Sequence, residues 1–581
     1  MQQFLESISA MGSLPMPGGQ LLQNWFCSGV RVFLPILALL LLLFCARSLL
    51  TFRKEPEIWG WLHLPDGNQI RITHWESVIG RNKHSDIVID LPTISRSHAV
   101  LTRYDDGSWT ISDIGSRGGI QVNGKDISVC ALNPGDVISL NGLEVTLEPT
   151  TRNQEAYQTT LRTRAGYLPG LGLLLLSLIQ VLMCVQLLFA SQPEHLSSIA
   201  LGFGGLLVTQ WLLFLFYRII RRSSFEVETL SFFLCTLGMA ILGSASPGEI
   251  TKQLLAIYLG LFVFLFIGWA LRDLDRAKKV RYLAAIGGIV LLAANLAFGT
   301  EVYGAKNWIM IGSVSFQPSE LVKLCFLFVG ASTMERIVSR RNITLFLIYS
   351  GIICGCLVLM NDFGTALIFF TAFLVIAYLR SGNFATLALV CGGTGFAGVM
   401  AIRFLKPHVL SRFAAWRHVW EYSLEPGGYQ QTRAMMCIAS GGLFGLGGGA
   451  GWLKYVAASD TDLVFATISE EWGLIIGVIM VLCVVCLGVF VVRTASMGRS
   501  SFYTIGACAA VSIMMMQTIL NTFGTVDLLP LTGVTFPFVS NGGSSMMACW
   551  GMMAFIKAAD TRQNASFAVR LPSRKELKHH A

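Results

Sequence analysis

Long apolar runs alternate with short polar connections along most of the chain. As helices, such runs are candidates for membrane spans, which need about 20 predominantly apolar residues each. About thirteen are found, at 32–46, 167–190, 196–219, 227–245, 254–271, 282–299, 319–334, 342–360, 364–379, 384–402, 472–492, 502–522 and 540–557. Charged side chains make up 13% of the 581 residues, against about 25% in a soluble protein. The pattern predicts a polytopic α-helical membrane protein and excludes an ordinary cytosolic enzyme.

Basic residues follow the first apolar run. Arg47, Arg53 and Lys54 come shortly after residues 32–46. A cleaved secretory signal is one interpretation of such a segment. Because basic flanks tend to stay in the cytoplasm, we expect instead an anchor helix within the segment 1–54, with its N-terminus outside.

Residues 55–150 have a different pattern, in which charges and turn residues are frequent and apolar stretches are short. The stretch 97–104 alternates in part with period two, as a half-buried strand does. Asn-Gly and Asp-Gly pairs recur between such stretches and favour tight turns. This segment is predicted to be a small all-β sandwich. A basic linker, 151–165, separates it from two extra predicted spans in 166–222.

The distribution of basic residues predicts the orientation of the spans. With the β domain in the cytoplasm, alternate connections fall inside, and each is basic, as the positive-inside rule requires. These inside segments are 220–225, 272–281, 335–341, the region of Arg380, 493–499 and the tail 561–581. The outside segments are 300–318, 361–363, 403–470 and 523–539. The formal net charge of +9 therefore reflects membrane topology, and no nucleic-acid partner is expected.

Three predicted loops of the β domain carry residues suited to phosphate binding. Arg clusters hold phosphate through forked, charge-assisted hydrogen bonds. A sandwich with a merely basic rim would show similar residues. The three loops contain Gly80-Arg81, then Ser95-Arg96-Ser97-His98, then Asp113 to Gly119 with Arg117, which leads to Val122-Asn123-Gly124.

In the order and spacing of these motifs, residues 57–148 resemble a forkhead-associated (FHA) domain. The resemblance implies that Arg81, Ser95 and Arg96 bind a phosphothreonine and that buried His98 braces the serine loop. The chain departs from the family where Arg117-Gly118-Gly119-Ile120 replaces the usual Thr/Lys-Asn-Gly-Thr. We expect Arg117 to contribute charge to phosphopeptide binding.

Ionisable residues within apolar spans are energetically costly and mark candidate functional sites. Glu320 and Lys323 follow Pro318, which suits a first helical turn, and their i,i+3 spacing places them on one helix face. Asp362 lies at a predicted outer helix junction. Plainer interpretations are a structural ion pair for Glu320 and Lys323 and a helix N-cap for Asp362.

A further carboxylate, Asp462, lies in the long outer segment 403–470. Loops of this length are usually functional. Asp462 precedes a helix that bears Glu470 and Glu471. The plainer interpretations are a solvated loop position for Asp462 and a location at the membrane interface for the two glutamates.

Residues 226–560 resemble the shape, elongation, division and sporulation (SEDS) family, whose members include FtsW, RodA and SpoVE. The resemblance extends over about ten helices, and the segment 561–581 follows it as a basic tail. The matching motifs are Gly243–Ser246, Gly304–Trp308, Gln317–Lys323, Asn361–Thr365, Gly428–Gln431, Ser440–Gly447, Thr461–Ala466 with Glu470 and Glu471, and Asn521 to Ser545.

The chain departs from the family pattern at several of these motifs. Asn307 stands where Arg is common, and Asp460 replaces the usual His before Thr-Asp. Asn361 precedes Asp362 without the common Gln-Pro. Asp527 and Asn541 stand where Gly and Tyr are usual. None of the four candidate catalytic positions is lost.

The resemblance implies polymerisation of peptidoglycan glycan strands from lipid II at the outer face of the bacterial cytoplasmic membrane. A sugar hydroxyl would attack the anomeric carbon of a second lipid-linked disaccharide with inversion, and undecaprenyl diphosphate would leave. We assign Asp462 as the general base and Lys323 as a cation for the leaving group. Glu320 would hold Lys323, and Asp362 would orient the site or a metal.

Other residues near these motifs are candidates for substrate binding. A divalent cation, Mg²⁺ or Mn²⁺, would be compatible with the leaving group. The Gly-rich stretch 441–451 would offer backbone N–H groups or mobility, or serve helix packing alone. Trp308 would pack the lipid or the sugar, although interfacial Trp is common. The substrate-binding candidates are Lys306, Trp308, Arg412, Arg417, Tyr429, Gln430, Arg433 and Ser540.

The expected partners follow from the two resemblances. They are lipid II and the growing strand, a class B penicillin-binding transpeptidase, and a phosphothreonine protein of Ser/Thr kinase signalling. Division, elongation and sporulation remain open as roles.

A lipid II flippase is an alternative, but the candidate carboxylates cluster on the outer side instead of the midplane. A non-catalytic scaffold is another, and the presence of Asp462 and Lys323 weighs against it.

Overall fold

The computed structural model describes the chain in segments. These are 17–51, 57–83, 85–104, 107–151, 169–220, 224–272, 274–302, 305–312, 314–333, 340–381, 414–425, 427–495 and 497–562, with 154, 222, 388, 391–393, 395 and 565–566.

Helices account for most of the described membrane part. They are α1 (Pro17–Leu50), α2 (Pro169–Ala190), α3 (Leu196–Ile219), α4 (Glu226–Ala245), α5 (Ile250–Ala270), α6 (Leu274–Phe298), α7 (Pro318–Thr333), α8 (Arg340–Leu359), α9 (Phe363–Ser381), α10 (Tyr429–Gly441), α11 (Val464–Glu471), α12 (Leu474–Ala495), α13 (Ser501–Thr525) and α14 (Gly543–Ala559).

The helices confirm the prediction of a polytopic helical membrane protein. Among the described residues, eight helices are long and apolar enough to cross a membrane, and two shorter apolar helices lie within α8 and α9. Every predicted span except 384–402 coincides with a helix, and that one falls largely outside the described residues. The long segment 403–470 contains the short helix α10, which was not predicted, and α11 is the predicted helix that bears Glu470 and Glu471.

The β domain is a two-sheet sandwich, as predicted. Its strands are β1 (Gly60–His63), β2 (Gln69–Ile72), β3 (Glu76–Gly80), β4 (Ile87–Val88), β5 (Ala99–Arg103), β6 (Trp109–Asp113), β7 (Ile120–Val122), β8 (Lys125–Ile127), β9 (Val129–Leu132), β10 (Val137–Leu140) and β11 (Leu143–Pro149). One sheet has the order β2-β1-β11-β10-β7-β8 and the other β4-β3-β5-β6-β9. Alternate residues such as Leu101 and Ile111 are buried between the sheets, which accounts for the period-two pattern.

A short antiparallel sheet occupies the connection between α6 and α7, which is predicted to lie outside. It consists of β12 (Thr300–Val302), β13 (Ala305–Ile311) and β14 (Val314–Phe316), with β13 in the centre. Gln317 links β14 to Pro318, the first residue of α7. Proline suits this position because the first N–H group of a helix has no partner within the helix.

The two extra helices α2 and α3 are joined to α4 by buried amides. Gln180 and Gln210 exchange side-chain hydrogen bonds of 3.1 and 2.9 Å, and Gln180 also donates to the hydroxyl of Thr236 at 3.1 Å. Both glutamines are buried. Polar side chains between membrane helices contribute about 0.6 kcal/mol each and require matched partners, so these bonds specify how α2 and α3 pack.

The β domain contacts the connection between α12 and α13. Arg499 binds Glu57 through two hydrogen bonds of 2.6 and 3.0 Å. The amide of Trp75 donates to the carbonyl of Arg499 at 2.6 Å, and its ring packs edge-on against Tyr503 at 6.3 Å. The predicted inside connection 493–499 and the β domain therefore lie on the same side.

Buried ion pairs close the same side of the helical part. Arg562 binds Glu226 at 2.7 Å and Asp560 at 2.6 Å. Lys557 binds Glu228 at 2.9 Å. The C-terminal end of α14 is thus joined to the start of α4.

Candidate active site

Asp462 lies in a tight turn that leads into α11. The amides of Asp462 and Leu463 both donate to the carbonyl of Ala458, at 2.9 and 3.2 Å. Ala458 has a φ of 63°, a conformation that is uncommon for a residue with a side chain. Asp462 itself is half-buried.

Residues 529–545, which we call the signature segment, hold this turn from the other side. Ser540 donates from its hydroxyl to the carbonyl of Thr461 at 2.5 Å and accepts the amide of Phe536 at 2.8 Å. Asn521 of α13 donates to the carbonyl of Asp462 at 3.0 Å and to that of Val534 at 2.9 Å. The backbone around Asp462 is therefore held by side chains that are distant in sequence.

The signature segment passes directly beside the Asp462 carboxylate. A Cβ atom at Gly533 would lie 3.3 Å from Asp462 Oδ2. Gly533 also has a φ of +69°, which strains other residues. Both the close approach and the backbone conformation require glycine at this position.

Asp362 caps α9 at its N-terminus. Its Oδ1 accepts the amide of Thr365 at 3.0 Å, and its Oδ2 accepts the side-chain amide of Asn307 at 3.2 Å. This is N-cap geometry. Two residues on, a Cβ at Gly364 would lie 2.7 Å from the side chain of Val534. The start of α9 and the Asp462 turn therefore approach the same signature segment.

Glu320 and Lys323 form a buried ion pair. Lys323 Nζ lies 2.7 Å from Glu320 Oε1, and their side chains are 1% and 4% exposed. Among the described residues, Glu320 Oε2 has no hydrogen-bond partner. The amide of Gln317 donates to the hydroxyl of Ser544 at 3.2 Å, which ties the start of α7 to the signature segment. A buried pair of this kind contributes little to stability.

Two of the predicted substrate-binding residues, Lys306 and Trp308, lie on β13 of the three-stranded sheet. Lys306 Nζ donates to the carbonyl of Leu296 at 2.7 Å, and its amide donates to Met360 at 2.9 Å. Trp308 is half-buried in β13, opposite Thr300. Lys306 therefore caps the C-terminal end of α6 with its charge, a favourable position for a cation.

The remaining candidates lie in and after the outer segment. Arg433 lies over the ring of Tyr429 at 4.3 Å and donates to the carbonyl of Ser423 at 2.8 Å. Gln430 donates to the carbonyl of Ala457 at 2.9 Å, one residue before the Asp462 turn. Ser540, described above, is buried and uses its hydroxyl for protein contacts.

Arg417 is exposed and lies over the ring of Trp416 at 5.4 Å. Its amide donates to Asp527 Oδ1 at 3.1 Å. Asp527 has a φ of 59°, so it keeps a backbone conformation that suits the glycine usual there. Arg412 lies outside the described residues.

The pattern alone did not reveal the role of Glu470 and Glu471. Glu470 accepts the amides of Trp452 and Leu453, both at 2.9 Å. Glu471 accepts the amide of Gly451 at 3.3 Å, that of Gly449 at 3.2 Å and the hydroxyl of Ser244. Both glutamates are 1% exposed, so they are buried within the protein.

The Gly-rich stretch 441–451 is therefore packed around these carboxylates. A Cβ at Gly451 would lie 2.7 Å from the Glu471 side chain, and one at Gly449 would lie 2.7 Å from Ala190 at the end of α2. Burial raises the pKa of Glu471 to about 7, although hydrogen bonds from Ser244 and two backbone amides oppose the rise. A run of glycines before paired glutamates is the signal that sequence reasoning had available.

Within the described ranges, no three His, Cys, Asp or Glu side chains converge in a way that would hold an ion. The role of a divalent cation stays a prediction.

The β domain presents a second candidate site. Arg81, Arg96 and Arg117 are exposed on adjoining loops. Arg81 donates its amide to the carbonyl of Ser95 at 3.0 Å, and the Ser95 hydroxyl accepts the amide of Arg117 at 3.1 Å. Buried His98 accepts the amide of Ser95 at 3.2 Å through Nδ1 and faces the carbonyl of Gly119 at 3.1 Å through Nε2. The backbones of Arg81 and Arg117 are thus bonded to Ser95, the neighbour of Arg96, so three exposed arginines lie on the loops that meet at this serine.

The departure at Gly118 has a steric explanation. A Cβ there would lie 2.1 Å from the side chain of Asn141, which donates to the carbonyl of Thr93 at 2.9 Å. The amide of Asn141 occupies the space that a larger residue at 118 would need.

Comparisons with known proteins agree with both parts of the structure. Residues 243–565 match the model of the FtsW/RodA/SpoVE cell cycle protein family, and residues 77–141 match the FHA domain model. The peptidoglycan glycosyltransferase RodA of Mycobacterium tuberculosis is 30% identical over 327 residues, which are 52% of this chain and 69% of that protein. The probable peptidoglycan glycosyltransferase FtsW of Bacillus subtilis is 30% identical over 333 residues, with coverages of 54% and 81%.

A solved chain from work on the structural coordination of polymerization and crosslinking by a peptidoglycan synthase complex also aligns. It covers 57% of this chain and 96% of its own length, at 25% identity and a TM-score of 0.48.

Proposed function

Because the chain belongs to the FtsW/RodA/SpoVE family of cell cycle proteins and carries an FHA domain, we propose that it is a peptidoglycan glycosyltransferase under phosphothreonine control. Its substrate is lipid II, which it polymerises at the outer face of the cytoplasmic membrane. One observation carries the proposal. The Asp462 turn, the cap of α9 at Asp362 and the start of α7 with Glu320 and Lys323 all contact the signature segment.

In this reaction Asp462 acts as the general base. It removes the proton from the 4-hydroxyl of the acceptor sugar, and the oxygen attacks the anomeric carbon of the donor. The bond from that carbon to the diphosphate oxygen breaks with inversion, so that an α link becomes β. A half-buried carboxylate suits this role because it can lie within hydrogen-bond reach of the sugar hydroxyl that loses the proton. The bond from Asn521 keeps its backbone in place.

Lys323 stabilises the negative charge that develops on the leaving undecaprenyl diphosphate. An ammonium group has three N–H donors, and the hydrogen bond to Glu320 requires one of them. Its burial strengthens electrostatic interactions with a phosphate oxygen. Glu320 holds the lysine in position, and Asp362 orders the outer end of α9.

The substrate chains approach across the outer segment. Arg412, Arg417 and Arg433 supply positive charge for diphosphate, and Tyr429 and Trp308 supply aromatic surface for lipid or sugar. Gln430, Lys306 and Ser540 shape the surrounding backbone through their hydrogen bonds.

The β domain and the C-terminal tail are cytoplasmic in this proposal, and the Asp462 turn is extracytoplasmic. Basic inside connections support this orientation. So does the contact of Arg499 with Glu57 and with the carbonyl of Thr561, because these three residues belong to segments that are all predicted to lie inside. A class B penicillin-binding transpeptidase is the proposed partner at the outer face.

Arg81, Ser95, Arg96 and Arg117 bind a phosphothreonine on a partner that a Ser/Thr kinase modifies. Exposed guanidinium groups around a hydroxyl are the arrangement by which phosphate is recognised. The proposal thus links strand synthesis to kinase signalling.

The decisive experiment uses the purified full-length protein with lipid II, with and without a class B transpeptidase, and separates polymer by gel. Wild type should form polymer and Asp462→Asn should not, with both proteins equally stable. Glu421→Gln is a matched control, because Glu421 is an exposed carboxylate of the same outer segment. Translocation of lipid II into vesicles without polymer would contradict the proposal and support a flippase, and unchanged polymerisation by Asp462→Asn would exclude the assigned base.

A further inference from the structure

Two positions at which the chain departs from the family pattern contact each other. Asp460 stands where His is usual and Asn541 where Tyr is usual. The side-chain amide of Asn541 donates to Asp460 Oδ2 at 3.0 Å, and the backbone amide of Asn541 donates to the carbonyl of Asp460 at 2.8 Å. Residues 81 positions apart are thus joined through both side chain and backbone.

A third residue completes this arrangement. The hydroxyl of Ser246, directly after α4, donates to Asp460 Oδ2 at 3.2 Å. One carboxylate oxygen therefore accepts from two donors that belong to different elements. Asp460 therefore joins the end of α4 to the residues before α14.

The Asn541 side of the contact is itself held in place. Gln253 of α5 accepts the amide of Gly542 and donates to the carbonyl of Ser540, both at 3.4 Å. Gln253 is buried. Asn541 lies between these two anchored residues, so Asp460 binds a fixed point of the helical core.

Three consecutive residues of the Asp462 turn are each bonded to a different distant residue. Asp460 is bonded to Asn541, Thr461 to the hydroxyl of Ser540, and Asp462 to Asn521. The contact of Asp460 is the one in which both side chains differ from the family pattern. It is also two residues from the proposed base, so a change there acts on the turn that carries Asp462.

We propose that Asp460 and Asn541 are a positioning pair for Asp462, in which the two departures from the family pattern compensate each other. The inference rests on the proposed function, because it concerns the base of that reaction. Neither residue need touch the substrate. Their hydrogen bonds fix the position of the Asp462 turn relative to the signature segment.

The pair predicts a specific pattern in single and double variants. Asp460→His and Asn541→Tyr should each lower kcat for lipid II polymerisation by about 10- to 100-fold, since a displacement of about 1 Å can cost 100-fold. KM should change by less than about twofold, because the pair acts on the base rather than on substrate binding. The double variant should recover at least about tenfold over the product of the two single losses.

Milder variants keep the test informative if either swap fails to fold. Ser246→Ala removes one donor and should lose less activity than Asp460→Ala. Asp460→Asn retains an acceptor oxygen, so its loss of activity should lie between those of the other two variants. Phosphothreonine-peptide binding by the intact protein should stay at the wild-type value, and kcat is compared among the variants whose melting temperature lies well above the assay temperature.

The outcomes separate the two proposals. Wild-type protein that forms no polymer overturns the proposed function. Wild-type protein that polymerises, with single variants as active as wild type or a double swap equal to the product of the single losses, overturns the positioning pair alone. Recovery in the double swap supports it, because two residues that acted independently would give multiplied losses.

Discussion

Arg499 and Glu57 form a doubly hydrogen-bonded ion pair, at 2.6 and 3.0 Å, between the connection of α12 and α13 and the start of the β domain. Their side chains are 8% and 15% exposed. Arg499 also donates to the carbonyls of Asp560 and Thr561, at 3.2 and 3.3 Å. One guanidinium therefore joins the β domain, a helix connection and the C-terminal end of α14.

Arg499→Ala should loosen this junction. Removing one partner of a buried ion pair costs about 3–5 kcal/mol, so the melting temperature should fall and amide exchange should increase at 57–75 and 497–503. Lys252→Ala is the control, since Lys252 forms an exposed pair with Glu249 that contributes about 1 kcal/mol or less. Unchanged exchange in both stretches would show that the β domain is held by other contacts.

The β domain and most of the spans could be predicted because their signals are local. Period-two alternation at Leu101 and basic connections such as that of Arg499 need only neighbouring residues for interpretation. The contacts of Asp462 with Asn521 and of Asp460 with Asn541 join residues at least 59 positions apart. No spacing rule links such residues. The candidate carboxylates could therefore be predicted from the sequence, but the residues that bind and position them could not.

Sequence reasoning also left the helix cap and the ion pair as alternatives to catalysis. Asp362 has N-cap geometry, and Glu320 and Lys323 are paired, so both structural contacts exist. A structural contact and a catalytic role are compatible in one residue, because a positioned group is what catalysis requires. Only a variant that separates folding from reaction distinguishes them.

Paired replacement of Glu320 and Lys323 makes that separation. Lys323→Met alone leaves a buried carboxylate without its cation and should destabilise the protein by about 3–5 kcal/mol. The double variant Glu320→Met with Lys323→Met removes both charges and should regain most of that stability. If Lys323 stabilises the leaving diphosphate, the stable double variant should form no polymer. Wild-type polymerisation by the double variant would instead assign the pair to structure.

Arg81→Ala should weaken phosphothreonine-peptide binding by the intact protein. A hydrogen bond to a charged group contributes about 1.5–3 kcal/mol, which corresponds to a loss of affinity of about 10- to 100-fold. Arg71→Ala is a matched control, because Arg71 lies on β2 over the ring of Trp61 in the other sheet. Titration calorimetry with phosphorylated and unphosphorylated peptides measures the change. Equal losses in the two variants would indicate general charge attraction and not a phosphate site.

Glu471 should make the stability of the outer segment depend on pH. Burial raises its pKa from 4.5 to about 7, so the native protein keeps a proton that the unfolded chain releases. The contribution of Glu471 to the free energy of unfolding is therefore highest below about pH 4.5. It falls by an amount on the order of 3 kcal/mol as pH rises towards about 7, and it changes little above that. The cause is that the ionised carboxylate is buried among the backbone amides of Gly449 and Gly451 with too little compensation.

Glu471→Gln mimics the protonated acid and should remove this dependence. Melting temperatures of the two proteins in the same detergent, compared across pH 4.5 to 8, measure the difference between them and cancel the contribution of other titrating groups. The variant should match wild type at the acidic end and exceed it near pH 8. Glu421→Gln, at an exposed position, should follow wild type throughout. A constant difference between Glu471→Gln and wild type at every pH would mean that Glu471 is ionised in the folded protein, and that the amides of the Gly-rich stretch stabilise its charge fully.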